Sequence, residues 1–74
     1  MYSVNLLGQN GEGTWLLQAG QEFDDKETAV RFYCNPRKYF GPDEFECTEL
    51  CEESCTGVTH ISIEGPDENA SRPL

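Results

Sequence analysis

The chain has 74 residues, 14 of them acidic and 5 basic, for a formal charge of −9 and a pI near 4.2. That balance lacks the Lys/Arg footprint needed to bind DNA, RNA or an anionic membrane, and it favours cations or a basic protein surface as partner. No apolar run approaches the ~18 residues of a membrane span, and the N-terminus MYSVNLLGQNGEG has neither a basic region nor a long apolar stretch, so a soluble, cytoplasmic chain is expected.

Tyr2 to Leu7 alternates, with Tyr2, Val4 and Leu6 on one side, and reads as a half-buried strand. The turn formers of Gly8 to Gly13 include Asn10-Gly11, a strong hairpin signal. Thr14 to Ala19 returns as a second strand, with Trp15, Leu17 and Ala19 facing one way and Trp15 placed in the core. Gly8-x-x-Gly11-x-Gly13 is not a phosphate loop, because no Lys-Ser/Thr pair follows.

Asp24 with Glu27 has the spacing of a capping box, predicting a helix over roughly Asp25 to Asn35 with Ala29, Val30, Tyr33 and Cys34 on one face. Pro36 stops it. Pro36 to Gly41 is read as a connection whose rings Tyr39 and Phe40 cover an end of the core. A second helix is predicted from Pro42-Asp43 to about Cys55, ended by Gly57. Val58 to Ile63 forms a third strand, with Ile61 and Ile63 inward and His60 on the opposite side. Gly65 to Leu74 has little to bury and reads as a flexible tail. The expected architecture is α+β, ββααβ: a three-stranded antiparallel sheet with two helices packed on one face, residues 1–64, followed by the tail 65–74.

The segment Asp43 to Cys55 carries most of the functional signal. Cys47, Leu50, Cys51 and Cys55 take one helical stripe, while Glu46, Glu49, Glu52 and Glu53, with Asp43 and Glu44, take the other side. Like charges at i, i+4, such as Glu49 and Glu53, cost a helix roughly 0.2–0.5 kcal/mol per pair. An anionic surface kept for a basic partner accounts for that cost, and so does a face kept for solubility. Acids three or four residues apart lie about 4.5–6 Å apart along a helix, sparser than one DNA strand at one charge per ~3.4 Å. A nucleic-acid mimic therefore needs further acids, and Asp24, Asp25 and Glu27 at the first helix are the candidates.

Cys34, Cys47, Cys51 and Cys55 raise zinc as an alternative. Their spacing lacks the close C-x2-C pairing of zinc knuckles. On a straight helix Cys47 and Cys55 stand about 12 Å apart, too far to share one ion or a disulfide. His60, an acid or water would have to complete any site built from Cys34 and two helix thiols. Reduced core thiols without a cofactor are the expectation, with a disulfide from Cys34 to one of the helix cysteines as a further alternative.

In size, charge and the lack of a catalytic set, the chain resembles the small acidic inhibitors made by bacteriophages and mobile elements, among them anti-CRISPR proteins and anti-restriction DNA mimics. The resemblance covers composition over the whole chain and no residue-level motif. It implies a non-enzymatic, stoichiometric blocker of a nucleic-acid-recognition surface on a bacterial defence complex, working in a bacterial cytoplasm. The alternatives are a cysteine-rich metal-binding or redox-sensitive module, or a generic protein-interaction domain.

Overall fold

The computed structural model describes residues 1–9, 12–45 and 57–74. The chain forms strands β1 (Tyr2–Gln9) and β2 (Trp15–Phe23), helices α1 (Lys26–Cys34) and α2 (Pro36–Tyr39), a 3₁₀ turn (Pro42–Phe45), and strands β3 (His60–Glu64) and β4 (Asn69–Pro73). It is an α+β fold with an antiparallel sheet in the order β2-β1-β3-β4. The sheet therefore has four strands rather than the expected three. The segment read as a tail supplies the extra one, so the sheet extends past the expected domain boundary at Glu64.

The alternation in β1 places Val4, Leu6 and Gly8 inward. Leu6 and Val4 pair with Ile61 and Ile63 of β3, and these four side chains are the largest fully buried ones. Ala29 of α1 and Phe40 complete the buried centre, with Ala19, Phe23, Phe32, Tyr33 and Phe45 packed against it. Phe32 gathers three other rings, with centroids 4.6 Å to Phe23, 4.9 Å to Tyr39 and 5.3 Å to Phe40. The inward stripe of α1 is thus Ala29, Val30, Phe32 and Tyr33, while Cys34, expected on that face, is exposed. Aromatic side chains from the following segment turn the helix toward Phe32.

The start of α1 sits one residue later than the capping-box spacing implied. Asp25 is the cap, its Oδ2 accepting from Thr28 N at 2.8 Å and Thr28 Oγ1 at 2.7 Å. Pro36 ends α1 as expected, yet it also opens α2, where a ring-fixed φ and a missing N–H suit the first turn. The expected connection at Pro36 to Gly41 is therefore partly helical. The predicted helix from Pro42 begins as a 3₁₀ turn through Phe45, and its remainder lies outside the described residues, as does the Asn10-Gly11 turn. Val58 N donates to Phe45 O at 3.1 Å, so the chain leaves and re-enters the described fold at one point.

Strand β4 is held by polar contacts rather than apolar burial. Gly65 N donates to Glu68 O at 2.7 Å and closes the β3–β4 turn. The turn is tied to the start of α1: Lys26 Nζ lies 3.0 Å from both Asp67 Oδ2 and Glu68 Oε1, and Tyr2 Oη donates to Asp67 Oδ1 at 2.6 Å. Arg72 reaches under α1, donating to Tyr33 O at 2.7 Å with its guanidinium 5.1 Å from the Tyr33 ring centroid.

Candidate functional site

Residues that pair directly across strands share a face of the sheet. One face carries Val4, Leu6, Ile61 and Ile63 and is covered by α1. The other is open. Its register sets three bands in order. Leu17, Leu7, His60 and Pro73 form an apolar band, with Trp15 beyond it. Gly20, Asn5, Ser62 and Ser71 form a polar middle, and Glu22, Ser3, Glu64 and Asn69 form an acidic end.

Trp15 and Leu17 reach this face through an irregularity. Leu6 pairs with Ala19 but Leu7 pairs with Leu17, so Gln18 is an extra residue in β2. The bulge reverses the alternation, leaving Ala19 against the core and turning Trp15 and Leu17 outward. Trp15 is 48% exposed and Leu17 64% exposed. The expectation of a core tryptophan is corrected accordingly, as is the shared facing of Trp15, Leu17 and Ala19. Trp15 crosses β1 to meet His60 edge-on, with ring centroids 4.5 Å apart and planes at 80°. His60 lies opposite Ile61 and Ile63, as the alternation predicted, with Nδ1 2.9 Å from Thr59 Oγ1. Leu7, Trp15, His60 and Ser62 line one side of a shallow depression of about 380 Å³ on this face.

Glu22 and Glu64 each pair with Ser3, one on either side of β1. Two strand spacings put them about 9–10 Å apart. Sequence reasoning missed both as site residues. It ended the second strand at Ala19, whereas the strand continues to Phe23. Glu64 falls one residue beyond the expected third strand, which ended at Ile63, and only the cross-strand register reveals Glu22 as its counterpart.

The other acidic candidates distribute as follows. Asp24, Asp25 and Glu27 are exposed at the start of α1, and Asp43 and Glu44 are exposed on the 3₁₀ turn. Asp25 is occupied by Thr28, and that bond holds its carboxyl below the usual range. Glu27 pairs with Arg31 at 2.6 Å across one helical turn. No lysine or arginine among the described residues bridges the acids at α1 to those of the 3₁₀ turn. Glu46, Glu49, Glu52 and Glu53 lie outside the described residues, as do Cys47, Cys51 and Cys55. No group of three or more His, Cys, Asp or Glu side chains able to hold a metal ion occurs among the described residues.

All five basic residues are engaged within the fold. Lys26 bridges Asp67 and Glu68, and Arg31 pairs with Glu27. Arg37 lies 4.7 Å from the Phe45 ring centroid, Lys38 Nζ lies 5.4 Å from that of Tyr39, and Arg72 is held at Tyr33. Lys26 is raised by its hydrogen bonds to Glu68 and Asp67 and stays charged. By contrast, Glu22, Asp24, Asp43, Glu44 and Glu64 have no cationic partner among the described residues. None of the basic residues falls on the open face, since Arg72, the only one in a strand, pairs with inward-facing Ile61.

Among the described residues no helix is long and apolar enough to cross a membrane. No family model matches the chain, and neither a curated protein nor a solved structure does.

Proposed function

We propose that the chain is a non-enzymatic acidic inhibitor that occupies a basic, nucleic-acid-recognition surface of a bacterial defence complex. One observation carries the reading: every cation is tied to the fold, while the exposed carboxylates of Asp24 before α1, Asp43 and Glu44 on the 3₁₀ turn, and Glu22 and Glu64 on the sheet lack cationic partners among the described residues. The protein therefore projects an uncompensated negative field. Such a field steers association with basic surfaces and repels nucleic acid from the same place. Glu46, Glu49, Glu52 and Glu53 add four more negative charges to the segment that follows Phe45.

The test is displacement of labelled duplex DNA from purified CRISPR surveillance complexes and restriction enzymes. Wild type is expected to compete, with potency falling steeply as salt rises, because the Debye length shrinks from about 10 Å at 0.1 M to about 3 Å at 1 M. A variant carrying Glu46→Gln, Glu49→Gln, Glu52→Gln and Glu53→Gln keeps shape and loses charge, and should compete much more weakly at unchanged stability. Equal competition by this variant would reduce the acidic segment to a solubility device. Failure to displace DNA from any of these complexes would refute the inhibitor role.

A further inference from the structure

We infer that the open face of the sheet is a docking surface for a basic amphipathic helix of a partner protein, with an apolar side chain seated on Trp15 and Leu17 and a lysine or arginine between Glu22 and Glu64. The sign of the partner's charge rests on the acidic binding role proposed above; the position and the apolar anchor rest on the sheet alone.

Three features select this occupant. The first is that the apolar band is exposed where a strand bulge has turned it outward, although the opposite facing would have buried it. A tryptophan beside polar positions is the side chain most often found anchoring interfaces. The second is charge: this face carries Glu22 and Glu64 and no lysine or arginine, so it is complementary to a cationic segment. The same sign disfavours a second copy of this chain.

The third feature is size. Four strands at about 4.8 Å spacing give a face about 14 Å across, wide enough for one helix of 10–12 Å diameter. From the Leu7 row to the Ser3 row is four residues, about 13–14 Å along the strand. At 1.5 Å per residue a helix lying along the strands covers that distance in about nine residues. Positions nine apart fall on opposite sides of an α-helix, so the partner carries its apolar anchor and its cation seven or eight residues apart on one face, about 10.5–12 Å, and the reach of a lysine or arginine side chain spans the rest. The polar middle, half-buried Asn5 and exposed Ser71 on either side of buried Ser62, leaves room for small or polar contacts between them.

The probe is a synthetic helix of about 18 residues, built from leucine and lysine at this spacing, with a leucine–glutamate counterpart. Trp15 is the sole tryptophan, so its fluorescence reports on the apolar band directly. Amide chemical shifts map the rest of the face. Binding of the lysine helix is expected to shift Trp15, Leu17, His60, Glu22 and Glu64, and the glutamate helix should not bind. Trp15→Ala should weaken binding at least about tenfold, and Leu17→Ser should weaken it as well. Both positions are exposed, so the variants should keep wild-type circular dichroism. Glu22→Gln with Glu64→Gln should weaken binding about three- to tenfold at low salt and little at high salt.

Several results overturn the inference. They are no binding at millimolar peptide, shifts confined to α1 and α2, or binding unaffected by these substitutions. Sedimentation showing self-association through Trp15 would do the same. So would a blue-shifted Trp15 that becomes solvated when a Gly-Ser linker replaces residues 46–56. The two proposals fail separately. A protein that binds the lysine helix here but displaces no DNA keeps this surface and loses the inhibitor role. One that displaces DNA undiminished by Trp15→Ala and Glu22→Gln/Glu64→Gln keeps the role and loses this surface.

Discussion

Gly8 is the position at which a single methyl group should do most damage. It is buried in β1, and a Cβ built there would fall within van der Waals contact of the Gly57 carbonyl oxygen. Both atoms are fixed by backbone. Gly57 has φ +80°, and on either side Thr59 N donates to Leu7 O at 2.9 Å and Val58 N to Phe45 O at 3.1 Å. Relieving the clash moves the returning chain away from β1 and strains both bonds. Overpacking costs about 1–3 kcal/mol, and each backbone hydrogen bond contributes a net ~0.5–1.5 kcal/mol. Gly8→Ala should therefore destabilise by about 2–5 kcal/mol, comparable to the ~3–5 kcal/mol a core of this size supplies. At about 4–8 °C per kcal/mol, the melting temperature should fall by roughly 10–40 °C. Gly20→Ala is the control. Its Cβ would meet Asn5 Oδ1 at 2.6 Å, the movable end of a side chain, and alanine suits a strand better than glycine. Thermal and urea melts followed by circular dichroism decide the matter. If Gly8→Ala melts within a few degrees of wild type, the close approach of β1 to Gly57 is wrong, and the packing of residues 57–59 with it.

Arg72→Ala removes a guanidinium bond to a backbone carbonyl and a ring contact, and should cost about 1–3 kcal/mol in a urea melt; no change would mean that β4 is not anchored to α1. Ending the chain after Glu64 should lower the melting temperature, because it strips β3 of its partner and releases Lys26 and Tyr2 from Asp67. An unchanged melting temperature would show that β4 contributes nothing. Asp67 lies below the ordinary carboxylate range, held first by the Tyr2 hydroxyl and then by Lys26. A lowered carboxylate binds fewer protons folded than unfolded, so its contribution is full above about pH 4 and drains as pH falls through the folded value. Asp67→Asn should flatten that acid limb. Tyr2 is raised by the same bond, so its contribution is lost as pH rises through its folded value, above about pH 10, and pH-dependent melts check both ends.

The central strands were legible in the sequence because a half-buried strand writes its burial into a period of two. Val4, Leu6, Ile61 and Ile63 were placed inward by alternation alone, and the register pairs them with one another. The helix after Asp24 was equally legible, because its cap and its proline stop are local chemistry. Strand β4 was not, since NASRP offers no large apolar side chain, only Ala70 and the terminal Pro73. An edge strand held by ladder hydrogen bonds and by Arg72 has no apolar signature to read. The turn chemistry of Gly65-Pro66-Asp67 was the one available signal.

The candidate site divides along the same line. Net charge is a sum over the chain, so an acidic protein was legible from the sequence alone. Which acids stand together is a matter of register. Glu22 and Glu64 lie 42 positions apart in the chain and meet across Ser3 only because β2 and β3 both pair with β1. Trp15 shows the dependence most sharply. Its alternation with Leu17 and Ala19 placed it in the core, and one extra residue at Gln18 carried it to the opposite face. Side-chain facing in a strand has a period of two, so a single bulge inverts every position beyond it, and no local pattern announces the inversion.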